Sequence, residues 1–91
     1  AGYAASKGGL LQLVRHLASV LAPRVRVNAV SPGGVRRGQP EVFQERYASR
    51  TPMKRMATEE DLKGTVAYLA SDLSAYVTGQ NLVVDGGWTV W

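Results

Sequence analysis

The chain has 91 residues, 45% hydrophobic and 20% charged, a globular balance with apolar content for one small core and one domain or part of one. It has no cysteine and a single histidine, His16, which excludes disulfides, thiolate metal centres and histidine-rich metal sites. The net charge is +4, and no run of about 18 apolar residues occurs, so no transmembrane helix is expected. No signal peptide is visible, and the lack of cysteine fits a cytoplasmic protein.

Residues 2–22 predict a helix, with Leu10, Leu11, Val14, Leu17, Ala18 and Leu21 at three- and four-residue spacing. Leu13 and Val20 widen the apolar stripe, so burial on two sides is expected. At its head stands Tyr3-Ala4-Ala5-Ser6-Lys7. Residues four apart share a helix face, which puts a phenol beside an ammonium. A cation there favours the phenolate and turns the phenol into a usable proton donor and acceptor. The plain alternative is a helix-start tyrosine with an exposed lysine one turn on. Gly8 and Gly9 cost helix stability, about 1 kcal/mol each against alanine, and predict a close backbone approach. His16 reads as a structural or interface residue.

Pro23 ends the helix. Residues 25–30, rich in β-branched side chains, predict a strand stopped by Ser31-Pro32-Gly33-Gly34. A glycine-rich loop directly after a strand is where α/β sheets bind ligands, and glycine lets the backbone approach a flat cofactor. Residues 36–55 carry Arg36, Arg37, Arg46, Arg50, Lys54 and Arg55 against Glu41 and Glu45. They read as a solvated face or as an electropositive lid over an anionic ligand. Nucleic-acid binding is the weaker third option, because only Phe43 and Tyr47 are aromatic there and no nucleic-acid motif is present.

Pro40 opens a short helix through about residue 49, with Glu41 in its first turn. Residues 50–57 are irregular and basic. Thr58-Glu59-Glu60-Asp61 resembles a capping signal, with Asp in place of Glu. The helix it starts runs to about residue 70, with Leu62, Val66 and Leu69 on its apolar side. A loop over 71–79 leads to a second strand at 81–85, ended by Gly86-Gly87. Strands separated by helices imply parallel pairing.

These residues together resemble the C-terminal part of a classical short-chain dehydrogenase/reductase. Four features coincide in order: Tyr3-x-x-x-Lys7; Arg26-Val27-Asn28-Ala29-Val30-Ser31-Pro32-Gly33; the capped helix at Glu59-Glu60-Asp61; and Thr78-Gly79-Gln80-x-Leu82-x-Val84-Asp85-Gly86-Gly87. Each is weak alone, but the ordered set is specific. The resemblance covers essentially all of residues 1–91. It implies an α/β fold, the C-terminal part of a Rossmann-like doubly wound parallel sheet.

The resemblance also implies an NAD(P)-dependent oxidoreductase that interconverts a carbonyl and an alcohol by hydride transfer. Tyr3 would be the general acid/base. Lys7 would acidify it and hold the nicotinamide ribose. Pro32 and Gly33 would shape the loop beside the nicotinamide, with the Val35 backbone near its carboxamide. The choice between NAD and NADP, set near the family's second strand, is open. The substrate would be a small carbonyl or alcohol, with an anionic one as an option, and the parent a homo-oligomer, dimer or tetramer. No metal, nucleic acid or membrane is expected. The contrasting function is a non-catalytic oligomerisation module in which Tyr3 and Lys7 are relics.

Two departures from the family pattern stand out. Arg37 occupies a position where many members carry a threonine that contacts the cofactor. The phosphate-binding glycine turn, the catalytic serine and the catalytic asparagine are missing; neither Ser6 nor Asn28 replaces them. With no initiator Met, the chain reads as a fragment, inactive when isolated and either aggregation-prone or dependent on partner contacts. Trp88-Thr89-Val90-Trp91 would line the pocket or a subunit contact.

Overall fold

A computed structural model describes residues 2–90, so Trp91 lies outside the described residues. Gly2–Leu21 form helix α1. Its inner stripe is Lys7, Leu11, Val14 and Ala18, at the spacing of one helix face, and only Val14 and Ala18 are buried. Ala18 faces Gly79, where an added Cβ would stand 3.4 Å from the Ala18 methyl. The second side expected to be buried is open: Leu10, Leu13 and Val20 are exposed by 57%, 49% and 59%. Gly8 and Gly9 likewise lack the close approach expected of them, since nothing described lies within 4 Å of an added Cβ.

Strand β1 (Ala29–Pro32) pairs in parallel with β2 (Asn81–Val84), in the register Ala29↔Asn81 to Pro32↔Val84. The strand expected at 25–30 is therefore displaced toward the glycine loop. The reason is what residues 26–28 bond to. Val27 N–H donates to the Thr78 hydroxyl (3.0 Å), and Gly79 N–H donates to the Val27 carbonyl (2.7 Å). Asn28 grips the same turn, donating to the Val77 carbonyl and accepting from the Gln80 N–H, both at 3.0 Å. A turn held by side chains replaces the ladder there. Pro32, which has no N–H to give, is tolerated as the last strand residue.

Between the strands run helices α2 (Glu41–Arg50) and α3 (Glu59–Ala70), as the capping signals predict. Asp61 Oδ2 accepts from the Thr58 N–H (2.7 Å) and the Thr58 hydroxyl (3.1 Å), so aspartate serves at this N-terminus. The loop expected over 71–79 contains a 3-10 turn, Asp72–Ser74; a second, Trp88–Val90, follows β2. Buried residues are few: Val14, Ala18 and Met56, with the hydroxyl residues Thr51 and Ser74. Among the described residues no helix is long and apolar enough to cross a membrane.

Candidate active site

The first two turns of α1 set Tyr3 and Lys7 beside β1. Together with Ser6, Leu10, Leu11, Ala29, Val30 and Ser31 they line a groove of about 290 Å³. The groove runs along residues 29–31 of β1, just short of the strand's last residue, Pro32. Lys7 is half-buried, whereas Tyr3 is 79% exposed. Ser31 is tied to β2 by its hydroxyl, which donates to Asn81 Oδ1 at 2.7 Å. The groove thus has a floor and one wall, and the phenol is uncovered on its far side.

The glycine loop that follows is pinned on three sides. Gly33 N–H donates to the Val84 carbonyl at 2.8 Å, which extends the ladder. Ala57 N–H donates to the Gly34 carbonyl (2.9 Å) and Arg36 N–H to the Ala57 carbonyl (2.8 Å), a parallel bridge at Val35. Gly34 N–H donates to the Tyr47 hydroxyl on α2. Within this chain the two glycines also have a steric reason of their own. A Cβ on Gly33 would stand 2.9 Å from the Asp85 Cα, and one on Gly34 would stand 2.5 Å from the Tyr47 ring. The chain's own side chains, packed behind the loop, already exclude a Cβ.

The sequence-predicted residues fall in separate places. Tyr3 and Lys7 share the groove with β1. Pro32 is exposed at the strand's end. Gly33 lines a second cavity, of about 200 Å³, with Gly34, Tyr47, Arg55 and Asp85. Val35 lines neither. Its carbonyl accepts from Gln39 Nε2 at 2.9 Å, while its N–H has no partner among the described residues.

Two side chains to which the sequence assigns no role, Tyr47 and Asp85, organise this region. The Tyr47 ring stacks on Trp88 with centroids 4.7 Å apart and planes at 15°. Asp85 holds the turn that carries Trp88, accepting from the N–H groups of Gly87 (2.9 Å) and Thr89 (3.1 Å). Desolvation raises the Asp85 carboxyl, but hydrogen bonds from the Thr89 side chain and from the Gly87, Thr89 and Trp88 N–H groups outweigh it and hold it below the usual range. Gly86 and Gly87 sit at φ of 63° and 94°, the left-handed region, so the turn can bend back over Thr51, Pro52 and Met53. The four-residue spacing of Phe43 and Tyr47 puts them on one face of α2. Trp88, the partner of Tyr47, lies 41 residues beyond it and has no local signal.

The basic segment is less free than its composition implies. Arg55 forms a two-pronged pair with Asp61, at 2.6 and 2.9 Å. Arg36, Arg37, Arg46 and Arg50 are exposed and form no salt bridge among the described residues. Among the described residues no group of three His, Asp or Glu could hold a metal.

The family described as enoyl-(acyl carrier protein) reductase matches residues 1–89. The D-arabinitol 2-dehydrogenase [ribulose-forming] of Scheffersomyces stipitis is 44% identical over 99 residues, covering 98% of this chain and 35% of its own length. The NADP-dependent mannitol dehydrogenase of Hypocrea jecorina is 40% identical over 91 residues, covering 96% of this chain and 34% of its own. Among solved structures, a short chain dehydrogenase from Leptospira borgpetersenii serovar Hardjo-bovis with bound NAD+ superposes with a TM-score of 0.88 at 46% identity, over 96% of this chain and 35% of that one. The chain therefore spans about a third of the length of these relatives.

Proposed function

The chain belongs to the short-chain dehydrogenase/reductase family, and from that premise we propose that it supplies the proton-transfer part of an NAD(P)-dependent oxidoreductase acting on a polyhydroxy alcohol or its ketone. The observation that carries this is the pairing of Tyr3 and Lys7 in one groove beside β1. The alcohol class is suggested by the relatives named for arabinitol and mannitol.

The residues present fit a nicotinamide nucleotide. Lys7 brings three donors to the groove, suited to ribose hydroxyls. The unpartnered Val35 N–H is a donor suited to a carboxamide oxygen. Pro32 and Gly33 offer a stiff edge for a flat ring. When bound, the nicotinamide supplies the chemistry of accepting or returning a hydride. The chain's own work is the proton. In alcohol oxidation the Tyr3 phenolate takes the hydroxyl proton; in ketone reduction the phenol gives it back. Lys7 stands one turn along on the same helix and lines the same groove. Tyr3 is 79% exposed, so these residues leave the phenol largely uncovered. The proposal therefore assigns the far wall of the groove, the phosphate cradle and the substrate-binding serine to sequence outside these residues.

Tyr3→Phe in the full-length protein tests this. Turnover of mannitol or D-arabinitol should fall by about 10²–10⁴-fold, the usual worth of a positioned acid/base, with NAD(P)H affinity unchanged. Retained turnover would discard the assignment and favour the non-catalytic module. The same assay run with a sugar acid tests the anionic-substrate option, which rests on exposed Arg46 and Arg50. A KM no lower for the acid than for the polyol removes it.

A further inference from the structure

Three residues, Tyr47, Trp88 and Thr51, meet behind the glycine loop, and none of them lines the Tyr3 groove. Tyr47 accepts from the Gly34 N–H. Its ring occupies the space a Cβ on Gly34 would need, 2.5–2.6 Å from Cζ and Cε2. Its other support is Trp88, stacked at 4.7 Å. Its own carbonyl is held by the hydroxyl of Thr51 at 2.8 Å, a residue 1% exposed. Tyr47 is thus fixed at ring, hydroxyl and backbone.

What it fixes in turn follows from peptide geometry. The Gly34 N–H sets the plane of the Gly33–Gly34 peptide. The next peptide is anchored through the Gly34 carbonyl, which accepts from Ala57. In a trans peptide the C=O and N–H point in opposite directions. The Val35 N–H therefore points away from Ala57, as an unpaired donor held in one orientation. Loss of the Tyr47 hydroxyl would release the first of these two planes.

We infer that Tyr47, clamped on Trp88, is a positioning residue that holds the Gly33–Gly34–Val35 backbone in the orientation that binds the nicotinamide end of the cofactor. This rests on the proposed function, and it extends the site to α2 and to the turn after β2. The effect belongs to cofactor affinity. Proton transfer at Tyr3, on a separate helix, is left alone.

The test uses the full-length protein and whichever of NADH and NADPH the unmodified protein binds more tightly, followed by nucleotide fluorescence. Tyr47→Phe keeps the ring and removes the hydroxyl. The dissociation constant should rise by about 3- to 10-fold, the worth of one hydrogen bond, with kcat at saturating cofactor changed by less than about twofold. A double-mutant cycle gives a readout that general destabilisation would not move. Gly34→Ala should weaken binding in the unmodified protein, where Tyr47 blocks the new methyl, and weaken it little in a Tyr47→Ala background. Unchanged affinity in Tyr47→Phe, loss of kcat and melting temperature without loss of affinity, or an additive cycle each overturns the inference. If the unmodified protein binds neither nucleotide, the proposed function fails and the inference falls with it.

Discussion

Arg26 binds four acceptors without a carboxylate. Nη1 donates to the Ser74 hydroxyl (2.9 Å) and the Val77 carbonyl (3.2 Å), and Nη2 to the carbonyls of Leu69 (3.1 Å) and Ser71 (3.2 Å). Leu69 and Ser71 are at the C-terminal end of α3, where helix carbonyls lack partners and a cation is favoured by the dipole, and Ser74 and Val77 lie in and after the 3-10 turn that follows. The planar guanidinium spans them all; a lysine ammonium cannot. Arg26→Met in the full-length protein should lower stability by about 2–4 kcal/mol, because it strands several part-buried acceptors. Arg26→Lys should recover only part of that. Denaturant midpoints measure it, and a Met variant within about 0.5 kcal/mol of the parent, the range of an ordinary surface change, would refute the role. Nothing local in the sequence announces this contact, since its partners lie 43 to 51 residues away. The same distance hides the Tyr47–Trp88 stack. Tyr3 and Lys7 were legible because one helical turn brings them together, and that is a local rule.

At the scale of elements, legibility followed the same division. The helix boundaries came from Pro23, Pro40 and the Thr58–Asp61 signal, each acting within one turn, and α2 and α3 start where these residues put them. β1 began four residues later than its β-branched run implies, because the register depends on β2 and the turn before it. The Thr58–Asp61 start of α3 also carries a pH dependence. The Arg55 hydrogen bond, followed by the Thr58 N–H, holds the Asp61 carboxyl well below the usual carboxylate range. A depressed native value means that the unfolded chain takes up the proton first. The stabilisation is complete above the ordinary aspartate value of about 4 and is lost as pH falls from there through the native value. Asp61→Asn should therefore be less stable than the parent at neutral pH, and it should lose less stability between about pH 5 and pH 2. Denaturant midpoints at several pH values read the difference. Parallel curves for parent and variant would exclude Asp61 as the titrating group.

At the scale of the whole molecule, these residues bury too little to stand alone. The accessible surface is 6765 Å², against about 5,200 Å² expected for a folded monomer of this mass. The radius of gyration is 15.3 Å, where a compact chain of this length has about 12 Å. The excess lies in particular places: the Leu10, Leu13 and Val20 side of α1, and a two-stranded sheet. Two strands are marginal on their own, and an uncovered strand edge invites pairing with other chains. The same faces are where a larger protein would set its remaining strands. The 91-residue chain in isolation should therefore melt without a cooperative transition, exchange its β1 amides rapidly and show no NAD(P)H turnover. The full-length protein should melt sharply and protect those amides. Calorimetry and hydrogen exchange on both decide the matter. A single two-state transition in the isolated chain, with protected Val30 and Ser31 amides, would show that the small core around Val14, Ala18 and Met56 suffices, and that the uncovered faces are ordinary surface.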